Sequence, residues 1–183
     1  MIINNKKLYE QDEVVGKYSA NTTRVRSLNN CEKEFIDRFD IKNKKVLVLG
    51  CGAGRVPVNL LIFGNQVVGV DRSEALLNFA IKTFPKNKFS DLDFILADMC
   101  DLSKIPDENF DTVIFPGNSI DYLQDYRLRE IAIVEATKKL KKYIKTVQQC
   151  SCSSWKNSSH AAAGQLLQHS RKAFLQGSGR AAP

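Results

Sequence analysis

Short apolar runs alternate with helix-period stripes along this chain. The runs lie at 46–49, 67–70, 93–96 and 110–115. Runs this short and this apolar predict parallel strands buried on both faces. Leu28, Cys31, Phe35, Ile36 and Phe39 fall on one helical stripe and predict a helix over 28–39. Val56, Val58, Leu60, Leu61 and Phe63 predict a second helix after Gly54. It carries Pro57 in its first turn and ends at Gly64-Asn65. Ser73 is placed to cap a third, with Glu74 in its first turn and Leu76, Leu77, Ala80 and Ile81 as its buried face, ending near Phe84-Pro85. A fourth spans 127–142, with Leu128, Ile131, Ala132, Ala136 and Leu140 on one side and Lys138, Lys139, Lys141 and Lys142 at its C-terminal end. Residues 143–147 suit one more short strand. The alternation predicts an α/β fold, a Rossmann-like parallel sheet with helices on both faces.

The first strand empties into Gly50-Cys51-Gly52-Ala53-Gly54, a turn with almost no side-chain bulk. Such a turn lets a ligand approach the backbone, and the helix start behind it offers free N–H groups. Asp71 ends the second strand, 17 residues past Gly54. An acid there can accept hydrogen bonds from a ribose diol. Strand, glycine turn, helix, strand and acid predict a nucleotide-binding βαβ unit. A nicotinamide fingerprint wants a glycine where this chain has Arg55. The later strands end at Asp98-Met99 and at Pro116-Gly117-Asn118. Ligands of open α/β sheets bind beyond such carboxyl ends, so the four strand ends are expected to form one site.

Charge changes the picture less than its total suggests. The 183 residues carry a net charge of +7, but residues 1–135 hold 18 basic and 20 acidic side chains. The other 9 basic groups lie in 136–183, which has no acid. The basicity belongs to the C-terminal segment, so nucleic-acid binding is not expected of the domain. No apolar stretch reads as a signal peptide or a membrane span. Five cysteines without Cys-x-x-Cys spacing read as reduced thiols of a cytoplasmic protein. Cys150 and Cys152 with His160 read as a loop rather than a metal site, and no metal is expected. Residues 1–27 are weakly patterned. Tyr9, Tyr18 and Arg24 stand out there; a flap over the ligand and an ordinary surface segment are both open, and the surface segment is preferred.

The ordered set VLVLGCGAGR, VVGVDRS, FILADMCDL and IPDENFDTVIFPGNSIDYL resembles the class I S-adenosylmethionine-dependent methyltransferases, over about residues 28–142. The connector from Ile105-Pro106 to Phe110-Asp111 resembles the small-molecule branch. The resemblance implies S-adenosylmethionine as cofactor and a small-molecule methyl acceptor. It implies Gly50, Cys51, Gly52 and Gly54 along the methionine and ribose part, Asp71 on the ribose hydroxyls and Arg72 along the adenine. Asp98 would take the adenine amino group with Met99 beside it, and Pro116-Gly117-Asn118 would run toward the acceptor. Two features depart from the family. Val48 stands where an acid is usual. Beyond Lys142 the usual Gly-Gly turn is missing, and after the short strand suited to 143–147 no two-strand hairpin follows, so a sheet cut short at its C-terminal side is expected. Residues 148–183, rich in Ser, Ala, Gln and Gly, read as a disordered tail or one foreign to the fold, arising by frameshift, truncation or extension. The domain is placed at 28–147. No general base stands out: His160 and His169 lie in the tail, and Asp121 and Tyr122 read as structural. A cofactor-binding chain without transfer is the alternative.

Overall fold

The structure, a computed structural model, describes residues 9–24, 27–106, 109–141 and 147–150. The chain divides into two compact units, Met1–Ser151 and Cys152–Pro183, and every described residue lies in the first. The expectations for Cys152, His160, His169 and residues 151–183 lie outside the described residues.

Strand β1 (Lys45–Leu49) is the centre of the sheet. Val46, Leu47, Val48 and Leu49 are wholly buried, as a strand covered on both faces requires. Each such side chain contributes about 1.5–3 kcal/mol by leaving water. Strands β2 (Gln66–Asp71) and β3 (Leu92–Leu96) lie on one side of it, and β4 (Thr112–Pro116) and β5 (Val147–Cys150) on the other. The order is β3-β2-β1-β4-β5, and every pairing is parallel. Chain order therefore reverses beside β1. The crevice between the carboxyl ends of β1 and β4 is the switch point, where such sheets bind ligands.

The helices are α1 (Asp12–Arg24), α2 (Asn30–Arg38), α3 (Arg55–Leu60), α4 (Glu74–Thr83) and α5 (Tyr126–Lys138). A 3₁₀ turn, Leu61–Phe63, continues α3, and Gly64 ends it. Asn29 and Glu32 cap α2 reciprocally: the Glu32 N–H donates to Asn29 Oδ1 at 2.8 Å, and the Asn29 N–H to Glu32 Oε2 at 2.9 Å. Ser73 caps α4 through the Leu76 N–H. Among the described residues, no helix is long and apolar enough to cross a membrane.

Several expectations are corrected. The N-terminal segment is no ordinary surface stretch: it forms α1, whose Tyr18 and Thr22 join Tyr9 in lining the central cleft. The expected helix over 127–142 stops at Lys138. The Phe110 N–H donates to the Lys139 carbonyl, and the Lys141 N–H to the Phe110 carbonyl. This draws Leu140 into a parallel bridge and takes the groups another helical turn would use. Lys139, at the C-terminal end of that helix, is buried, its Nζ donating to the Ile105 carbonyl at 2.7 Å. The last strand is described at 147–150, and residues 143–146 of the expected strand lie outside the described residues. Its register, Val113↔Val147 to Pro116↔Cys150, is set by the edge of β4. Ile81, read as buried, is 49% exposed, and Ile131, on the apolar side of the last helix, is 45% exposed.

Gly54, which opens α3, has φ +88°. A Cβ there would stand 2.9 Å from Phe94 Cζ and 3.2 Å from Ala80 Cβ. The residue therefore seats the glycine turn on β3 and α4. Gly54→Ala is expected to cost about 2–4 kcal/mol, the sum of left-handed strain and overpacking. Urea unfolding checks this, and a loss below about 1 kcal/mol would show that the contact relaxes freely.

Candidate functional site

The carboxyl ends of β1 to β4 open into one cleft of about 240 Å³. Gly50 to Ala53 form its floor after β1. Asp71 and Arg72 stand after β2, Ala97, Asp98 and Met99 after β3, and Pro116, Gly117 and Ser119 after β4. The expected strand ends therefore meet in space. Gly54 and Asn118 are the two expected residues outside the lining. Gly54 packs behind the turn, as described above. Asn118 sits at φ +62° just past Gly117, its Oδ1 buried without a hydrogen-bond partner.

Asp71 is the most constrained group in the cleft. Its Oδ2 accepts the Gly52 N–H at 2.7 Å, and its Oδ1 the Ser73 N–H at 2.9 Å. The carboxylate is thus aimed by the glycine turn on one side and its own strand end on the other. Burial pushes its pKa up, against the pull of these N–H groups and of Arg72. Gly52, at φ +55°, leaves its surface open: a Cβ there would meet only Tyr18, at 4.0 Å. A ligand can thus approach this backbone closely.

Asp98 is exposed at the far side, its Oδ1 accepting the Cys100 N–H at 2.9 Å. Cys51 is buried beneath the cleft. Burial, and then the charge of Asp71, raise its thiol pKa well above the ordinary value. Among the described residues, no group of three or more His, Cys, Asp or Glu could hold a metal ion.

Other residues lie at the cleft beyond the expected cofactor set. Ser119 donates its hydroxyl to the Leu49 carbonyl at 2.8 Å and ties the β4 end to the β1 end. A Cβ on Gly50 would fall 2.5 Å from Ser119 Cβ, so the first glycine is required by this close approach. Arg55 lines the cleft and is gripped by Glu32 of α2 through bonds of 2.8 and 2.6 Å. Tyr9, Tyr18 and Tyr122 meet at the mouth. Arg24's side chain lies outside the described residues. Asp121 is held by Arg129, which donates to its carbonyl at 3.3 Å and stands 4.0 Å from its carboxylate.

The cleft is a nucleotide-type cradle at the switch point of a parallel sheet. A family profile described as a methyltransferase domain matches residues 40–176, about three quarters of the chain. The chain belongs to that methyltransferase-domain family. The family match runs through 148–176, which the sequence alone sets apart from the domain. This methyltransferase-domain chain is 31% identical over 80 residues to YqeM of Bacillus subtilis (strain 168), covering 44% of this chain and 31% of that protein. It is 31% identical over 64 residues to 235L of Invertebrate iridescent virus 6, covering 33% and 24%. Both are named as methyltransferases. The chain thus spans about a third or less of the curated relatives' length. Among solved structures, it resembles the glycopeptide N-methyltransferase MtfA complexed with S-adenosylmethionine: TM-score 0.56, 24% identity, 63% of this chain and 51% of that one. At that identity the likeness is one of fold.

Proposed function

We propose that this chain binds S-adenosylmethionine in the cleft and transfers its methyl group to a small-molecule acceptor. The observation that carries the proposal is Asp71. Each of its oxygens already accepts one backbone N–H. A carboxylate has about four lone-pair sites, so acceptor capacity remains for the hydroxyls of a ribose. Gly52 beside it has no side chain to obstruct a ligand.

In this reading Gly50, Cys51 and Gly52 follow the methionine and ribose part, with Gly54 supporting the turn from behind. Asp71 takes the diol, Arg72 lies along the adenine, and Asp98 with Met99 takes the adenine edge. Pro116, Gly117 and Asn118 lead toward the acceptor. Val48 is wholly buried and offers the ammonium end nothing. Loop carbonyl oxygens would serve there instead. The cofactor supplies a methyl group on a positive sulfur. The chain's own residues bind, align the acceptor and exclude water. The free thiols of Cys31, Cys51 and Cys100 fit a cytoplasmic setting.

Calorimetry with S-adenosylmethionine, S-adenosylhomocysteine and NAD tests the proposal. The first two are expected to bind and NAD is not. Binding of NAD alone, or of none, would sink it. Cofactor binding without transfer to any acceptor would identify a binding-only chain.

Affinity should also depend on pH with a definite sign. The ribose hydroxyls need the ionised carboxylate, and burial has raised the pKa of Asp71 above 3.8. Affinity for S-adenosylhomocysteine is therefore expected to fall as pH drops, beginning at a higher pH than for a solvated aspartate. An affinity flat down to pH 3.8 would contradict this role.

A further inference from the structure

Three phenols from distant parts of the chain meet at the mouth of the cleft. Tyr9 precedes α1, Tyr18 lies on it, and Tyr122 ends the turn Ser119–Tyr122 after β4. The Tyr9 ring centroid is 5.8 Å from that of Tyr18, at 64°, and 5.6 Å from that of Tyr122, at 82°. At such angles the edge of one ring meets the face of its neighbour, so the three rings form walls of a corner rather than a stack. The segment is fastened to the β2 end: Ser73 Oγ donates to the Tyr9 carbonyl at 3.0 Å, and the Glu74 N–H to Glu10 at 3.1 Å. The corner therefore spans the cleft from the β2 end to the β4 end.

Its chemistry has one sign. The three phenols lie close enough to perturb one another electrostatically. A phenol has one proton to donate and two lone pairs, so three neutral phenols offer more acceptor sites than donors. Burial raises the pKa of Tyr9 strongly and that of Tyr18 to about 12, so both stay neutral at physiological pH. Ring faces and oxygen lone pairs attract cations and N–H donors. Anions would find little here. Among the described residues, the cations lining the cleft are Arg55, paired to Glu32, and Arg72, beside Asp71.

We propose that the Tyr9–Tyr18–Tyr122 corner recognises the nitrogen of a cationic amine, and that the methyl acceptor is an amine. The second clause rests on the methyl-transfer reading above; the first does not. Tyr122 is 46% exposed, so an ammonium bound there can exchange its proton with solvent and present the free amine.

Choline and its neutral carbon isostere, 3,3-dimethylbutan-1-ol, are the probes, titrated calorimetrically into the full chain with and without saturating S-adenosylhomocysteine. Choline is expected to bind at least about tenfold more tightly than the isostere. Tyr122→Leu should remove that preference, while Tyr122→Phe, which keeps the ring, should retain most of it. Equal affinities, no choline binding, or an unaffected Tyr122→Leu variant would overturn the proposal. So would a Tyr122→Leu variant that loses only its preference for S-adenosylmethionine over S-adenosylhomocysteine, which would assign the rings to the cofactor's sulfonium. Failure of S-adenosylhomocysteine to bind would count against the cofactor reading, and the choline arm without it would still decide the corner.

Discussion

Asp71→Asn is expected to lower the affinity for S-adenosylhomocysteine by about a hundredfold or more. The native carboxylate accepts the Gly52 and Ser73 N–H groups and, in the proposed role, the ribose hydroxyls. Hydrogen bonds to a charged acceptor contribute about 1.5–3 kcal/mol each. The amide has a single acceptor oxygen and no charge, so a loss near 3 kcal/mol follows, roughly a hundredfold. Stability should move much less, because two effects oppose. Burial has raised the folded pKa of Asp71, so the folded chain holds this proton more tightly than the unfolded chain. That contribution is fully present below pH 3.8 and is lost as pH rises through the folded pKa, so above it the charge is a cost that Asn removes. Against this, either the Gly52 or the Ser73 N–H would then face an amide NH₂. Calorimetry with thermal melts of the free chain separates the roles. Unchanged affinity would end the ribose assignment, and a collapse of the free chain's melting temperature would make Asp71 chiefly structural.

What could be seen from sequence follows from the range of the forces involved. β1, the glycine turn and Asp71 are written in neighbouring residues. A buried strand must be apolar throughout, and the turn and strand end follow directly. The helix α1 is different. Its inward groups include Tyr18 and Thr22, which face a cleft rather than an apolar core, so the usual stripe is missing and the segment reads as surface. Ser119 is as hard to foresee, because its partner Leu49 is 70 residues away. Gly54 was legible as a glycine but not in its role: only the fold brings Phe94 and Ala80 against it. The end of α5 was misjudged for a similar reason. Lysines continue the helical pattern, but pairing with Phe110 ends the helix from outside.

The Glu32–Arg55 pair is the clearest case of a charge pattern that misleads, and it sets the second large expectation. In sequence, Arg55 stands out only where a nicotinamide fingerprint would have a glycine. In the fold, the Glu32 side chain is 6% exposed and that of Arg55 is 25% exposed. Both Glu32 oxygens accept from the guanidinium, and Oε2 also takes the Asn29 N–H. One carboxylate therefore closes the start of α2 and ties it to the first residue of α3, directly after the glycine turn. Breaking a buried pair by removing one partner costs about 3–5 kcal/mol. Arg55 keeps some access to water, so Glu32→Ala is expected near 3 kcal/mol by urea unfolding. Glu32→Gln, which retains an acceptor oxygen, should cost less. In a double-mutant cycle, Glu32→Ala with Arg55→Ala should cost clearly less than the two single losses added together. Additive losses, or a Glu32→Ala loss below about 1 kcal/mol, would mean that the pair behaves like an exposed one. Arg55 lines the cleft, so losing the tether should also weaken S-adenosylhomocysteine binding even where the chain stays folded. That second effect separates a residue that positions the cradle from one that only fills space beneath it.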